Sequence, residues 1–244
     1  MITTKNILQT SAAIVLSTLT TVALATPTYS YSLDSASLGG PTSISELSYA
    51  SSIQDFYGYG SPSGASANPP LDITRSNAGV LFLYEDSLTD TMSLGVILDA
   101  VNDGSGYNVG LDFTGLPTTS NWVVRDDPGD SAYTISPTGI STINWLGFNC
   151  CTDGGALSNL DDQIWDIDIT LNPSSTGISD WYFVSGNSAG LNWTSISSAD
   201  MLEGITLSSS IQAVPAPAAW TLMGGALLLL GAQRRRKTIQ NQDS

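Results

Sequence analysis

The chain has 244 residues, with 22 acidic side chains against 7 basic ones, two cysteines and no histidine. A formal charge of −15 excludes nucleic acid as a partner, because phosphate recognition needs a basic face. The lack of histidine excludes Ser-His-Asp triads, Cys-His pairs and histidine-ligated zinc, while six tryptophans among 41% hydrophobic residues argue against disorder.

At the N-terminus Lys5 supplies a small positive region, and residues 7–24 carry no charge and are apolar or small apart from Gln9. Ala23 and Ala25 then offer the small side chains that a signal peptidase reads. Residues 1–25 are therefore expected to be a signal peptide, handled by the general secretion machinery and cleaved after Ala25. The body, residues 26–212, is long enough for one domain with a sizeable core. Arg75 and Arg125 are its only cations against twenty-one acidic residues, a balance of −19. With no lysine there, a Ser-Lys pair is excluded as well. Carboxylate-pair glycoside hydrolysis stays chemically open. Among so many acids a chance pair carries no signal, and the body is read as non-enzymatic.

The body predicts strands and almost no helix. Residues 29–53 are expected to hold one or two edge strands, and the Gly-, Ser- and Pro-rich residues 57–70 a long loop. An apolar run at 78–84 is followed by predicted strands at 93–101, 107–113, 122–125, 132–136, 141–148, 163–171, 180–185 and 204–211. Within 163–171, Trp165, Ile167, Ile169 and Leu171 share one face while Asp166, Asp168 and Thr170 take the other, as a half-buried strand requires. Short strands at this spacing, broken by Gly, Pro, Asn and Asp, predict an all-β fold, an antiparallel β-sandwich compatible with a jelly-roll arrangement.

Two turns crowd oxygen-bearing side chains. One runs from Asp99 through Asn102, Asp103 and Gly104. The other holds Asp126, Asp127, Gly129 and Asp130. Calcium takes six to eight oxygens from carboxylates, amides and backbone carbonyls, and Asp99, Asp103, Asp126, Asp127 and Asp130 are the candidate ligands. Val101 and Gly110 fall where an EF-hand loop needs ligands, so the spacing is not of that type. The same residue types also favour hairpin turns for backbone reasons alone. Asp161 and Asp162 form a further acidic pair.

Cys150 and Cys151 are adjacent. Their Cα atoms lie about 3.8 Å apart across a trans peptide, below the usual disulfide span. A vicinal disulfide, bridges between molecules and reduced thiols all remain open. Trp122, Trp145, Trp165, Trp181 and Trp193 lie in or beside predicted strands, where aromatic side chains fill cores. Trp122 and Trp193, beside Asn, Ser and Thr, are the two candidates for an exposed sugar platform.

The C-terminal segment is the most specific part of the chain. Val214, Pro215, Ala216 and Pro217 open it, residues 218–232 are apolar or small, and Arg234, Arg235, Arg236 and Lys237 follow before a polar tail at 238–244. Four of the seven cations thus stand directly behind a greasy segment, the arrangement that stops a chain in a membrane. Those fifteen residues fall short of the roughly 20 that a straight span needs. The order over residues 213–237 resembles the PEP-CTERM sorting signal, with Ala216 in place of the usual Glu as in VPxP variants. The resemblance implies a Gram-negative host and processing by an exosortase near residues 214–217. It also implies a transient inner-membrane intermediate facing the periplasm, then release to the cell surface or extracellular space. The role expected on this reading is structural or adhesive, within extracellular polysaccharide or another polymer. The competing expectation is a secreted carbohydrate-binding or carbohydrate-active module that depends on calcium.

Overall fold

The computed structural model describes residues 27–58, 67, 69–99, 106–126, 133–147, 152–161, 163–187 and 190–212. In chain order these form β1 (Thr28–Asp34), β2 (Thr42–Ile44), β3 (Leu47–Tyr49), α1 (Ile53–Tyr57), β4 (Ala78–Asp86), β5 (Thr91–Asp99) and β6 (Tyr107–Thr114). There follow β7 (Asn121–Arg125), β8 (Ser141–Gly147), β9 (Thr152–Ser158), β10 (Asp166–Leu171), β11 (Asp180–Asn187), β12 (Gly190–Ile196), α2 (Ser198–Glu203) and β13 (Ile205–Gln212). Among the described residues no helix is long and apolar enough to cross a membrane.

The strands make two sheets. One runs β2-β1-β13-β10-β6-β8 and is antiparallel throughout. The other runs β12-β11-β4-β5-β9-β7. In it, one edge of β4 is shared end to end by two parallel partners, β11 along its first half and β3 along its last three residues. The all-β, two-sheet expectation holds. Pure antiparallel pairing does not, and β4 also departs from the jelly roll, an antiparallel architecture.

The reason lies in β4 itself. Leu81 and Leu83 point into the space between the sheets, with Leu94, Val96 and Leu98 of β5, and face Val109, Leu111 and Phe113 of β6 and Ile167 and Ile169 of β10. Val80, Phe82 and Tyr84 point the other way and are covered by Ile53, Phe56 and Tyr57 of α1 together with Leu47 and Ile73. A strand buried on both faces reads as an unbroken apolar run and accepts parallel neighbours. Each fully buried Leu or Phe here contributes about 1.5–3 kcal/mol over an exposed one.

Most predicted strands appear within a few residues of their expected bounds, and in β10 the predicted alternation of buried and exposed side chains is observed. Three departures have physical causes. Residues 29–53 hold three strands, and β1 lies inside its sheet between β2 and β13 rather than at an edge. Residues 133–136 are not a strand, because Tyr133 takes a left-handed backbone (φ +40°). β9 and β12 form where no strand was expected. β9 carries Gly154 at φ +145°, where any Cβ would stand 2.0 Å from the Val96 carbonyl oxygen. Its Gly-Gly sequence imitates a turn but serves close strand packing.

Candidate functional site

Three connections open at one end of the two sheets. Asp99 closes β5 opposite Thr152 of β9, Tyr107 opens β6 opposite Gly147 of β8, and Asp126 follows β7 directly after Arg125, which pairs with Gly155. Beneath this end lies a buried polar cluster. Asp126 and Asp153 are 0% and 2% exposed, and each meets a tyrosine hydroxyl.

Tyr107 donates its hydroxyl proton to Asp153 Oδ2, bridging the two sheets. Tyr57, delivered by α1, donates to Asp126 Oδ2 at 3.4 Å. The Tyr133 hydroxyl lies within hydrogen-bonding reach of the Asp126 and Gly154 carbonyl oxygens. Trp145 Nε1–H is shared between the Tyr133 hydroxyl oxygen and the Gly154 carbonyl, both at 2.8 Å. Burial, followed by the nearby Asp126 carboxylate, holds the Tyr57 phenol well above its ordinary value. Burial and the adjacent Asp153 do the same to Tyr107. Both phenols therefore stay protonated and serve as donors. Asp99 is half-buried, and desolvation raises its carboxyl.

Two of the predicted calcium ligands, Asp99 and Asp126, are thus brought to the same end of the sandwich. Asp103, Asp127 and Asp130 lie outside the described residues. Among the described residues no group of three His, Cys, Asp or Glu side chains is placed to hold a metal ion. Asp161 stands at the far end of β9, where it accepts a hydrogen bond from the Met92 amide at 3.3 Å. Asp162, Cys150 and Cys151 lie outside the described residues, as do Ala23 and Ala25, Val214 to Pro217 and the cluster Arg234 to Lys237.

Asp153 was missed from sequence because it sits in a run of turn-forming residues. Alternation was the available signal. Counting back from Leu157, which faces the inter-sheet core, places Gly155 and Asp153 on the same side of β9.

The aromatic candidates separate cleanly. Trp122 is 3% exposed, packs edge-on against Phe113, Tyr133 and Trp145, and donates from Nε1 to Ser141 Oγ at 3.0 Å. It is a core residue, as expected of an aromatic side chain in a strand, and the alternative of an exposed sugar platform does not apply to it. Trp145, Trp165 and Trp181 are buried as core side chains too. Trp193 is half-buried, on the face of β12 that continues the cover over β4. The Arg75 guanidinium carbon lies 3.8 Å from its ring centroid and 4.7 Å from that of Tyr182. One face of the Trp193 ring is therefore already occupied by a cation of the protein itself. No family model, no curated protein and no solved structure matches this chain.

Proposed function

We propose that the chain is an exported surface or extracellular-matrix protein of a Gram-negative bacterium, delivered by a signal peptide and sorted through its C-terminal segment by an exosortase. Its role on this reading is structural or adhesive, not catalytic. The observation that carries the reading is the order at the C-terminus: Val214-Pro215-Ala216-Pro217, an apolar stretch, then Arg234, Arg235, Arg236 and Lys237. The two prolines keep the backbone before the apolar stretch out of regular helix and open to a processing enzyme. The basic cluster halts the chain at the cytoplasmic face. The character of the body is consistent with this: an acidic two-sheet domain without lysine or histidine has no histidine- or lysine-based acid–base machinery and stays soluble through its charge.

The test replaces Arg234, Arg235, Arg236 and Lys237 together by Gln in the native host. Loss of processing is expected, read as an altered C-terminal mass and a changed final location of the protein. Surface material that still carries Ser244, or a variant with the same mature mass and location as the wild type, overturns the proposal.

A further inference from the structure

The edges of the two sheets are not equally defended. An exposed strand edge is a template for another chain, and monomeric proteins blunt it with shortness, charge, proline, bulges or cover. β2 and β3 are three residues each. β7 ends in Arg125 and is broken by a register shift between Trp122 and Val124. β8 is flanked by the chain just before it, with the Ser136 amide donating to the Ile140 carbonyl at 2.8 Å and Ser141 Oγ donating to the Thr134 carbonyl at 2.8 Å.

Among the described residues β12 has none of these devices. Its seven residues, Gly-Leu-Asn-Trp-Thr-Ser-Ile, carry no charge and no proline. They pair with β11 in unbroken register, from Trp181 opposite Ile196 to Asn187 opposite Gly190. The outer edge of β12 has no strand partner among the described residues.

Charge points the same way. The body carries twenty-one carboxylates, yet none falls between Asp180 and Asp200, so the whole β11–β12 hairpin beyond its first residue is free of them. One of the body's two arginines, Arg75, lies over this hairpin on Trp193 and Tyr182. Two copies of so acidic a domain repel, but screening confines that repulsion to roughly 8 Å at physiological salt. They can therefore touch where neither presents a carboxylate.

We propose that β12 is the docking edge for a second copy of this chain, the two β12 strands pairing antiparallel across a two-fold axis to join the two β12-edged sheets into one. A two-fold contact must be complementary to itself, and a strand whose own seven side chains are uncharged meets that condition without setting like charges of the strand opposite one another. Trp193 is the middle residue of the seven, so pairing centred there sets Leu191 against Ser195 and Asn192 against Thr194. This inference is independent of the sorting signal, and its failure leaves the sorting reading untouched, because that one is judged by the C-terminal mass.

The experiment is sedimentation velocity on the full chain in non-ionic detergent over a range of concentrations, for the wild type and for a double variant, Asn192→Asp with Ser195→Asp. Both positions are exposed, and an unchanged thermal melt verifies the fold of the variant. The wild type should form a dimer whose population rises with concentration, and four new carboxylates at the two-fold should weaken association by about tenfold or more. Hydrogen exchange supplies a second readout. Protection of the β12 amides should increase with concentration in the wild type and not in the variant. A wild type that is monomeric throughout overturns the proposal. So does a dimer equally strong in the double variant, or β12 protection that appears only when a different protein is added.

Discussion

Gly95 faces the ring of Phe82 across the β4–β5 pair. A Cβ added there would lie 2.1 Å from Phe82 Cζ. That ring has little room to retreat, since Phe56 of α1 packs over it with centroids 5.9 Å apart. Gly95→Ala should therefore destabilise the fold by about 1–3 kcal/mol, the usual cost of overpacking a filled core, read as a lower midpoint in urea unfolding. A midpoint equal to the wild type would mean that α1 yields and the outer layer is loosely held. At this scale the sequence was legible wherever period-two alternation was clean, as from Trp165 to Leu171. At Asp153 the alternation counted back from Leu157 was masked, because local turn chemistry and inward placement make opposite demands on one residue.

Among the elements, α2 shows how a short helix is held at its first turn. Ser197 accepts from the Asp200 amide at 3.0 Å, and the Asp200 carboxylate accepts in return from the Ser197 amide at 3.4 Å, a reciprocal capping box. The same carboxylate also receives the Ser37 hydroxyl and, at 3.2 Å, the Ser37 amide. The Ser37 hydroxyl is the leading cause that holds Asp200 below the ordinary carboxylate range. The cap thus ties α2 to the turn after β1. Ser197→Ala should cost about 0.5–2 kcal/mol, the range for losing an N-cap, measured as the shift in urea midpoint with an unchanged slope. A changed slope would show instead that the link to Ser37 fails and the chain around β1 loosens. Strands such as β4, β5 and β6 announced themselves through apolar runs and alternation. β12 did not, because a half-polar strand at an edge is held by backbone pairing to β11 rather than by its own pattern.

For the molecule as a whole, the buried tyrosines couple ionisation to folding. Tyr57 and Tyr107 are both raised above the ordinary value of 10.0. In the unfolded chain they lose their protons near that value, while in the fold they keep them. The stability these two phenols contribute is therefore complete below about pH 10 and falls as pH rises beyond it, because the unfolded state then binds fewer protons. Phenolate absorbance followed alongside tryptophan fluorescence should show part of the nine tyrosines ionising only as the fold is lost. Ionisation of all nine with the fluorescence of the native state intact would contradict the buried cluster.

The amino-acid sequence by itself determined the charge of the body, the absence of histidine and lysine chemistry there, the all-β character and the order of segments at both termini. Each of these is carried by composition or by a local period, and neither needs a distant partner. Only the tertiary structure decided that β4 takes parallel neighbours, that Asp126 and Asp153 are buried beneath tyrosine hydroxyls, that Arg75 covers Trp193, and that the outer edge of β12 has no strand partner among the described residues. Those outcomes rest on contacts between residues as much as a hundred positions apart or more, such as Ala78 beside Asp180 and Arg75 over Trp193. Alternation says which way a side chain points, and it carries no information about which strand lies beside it.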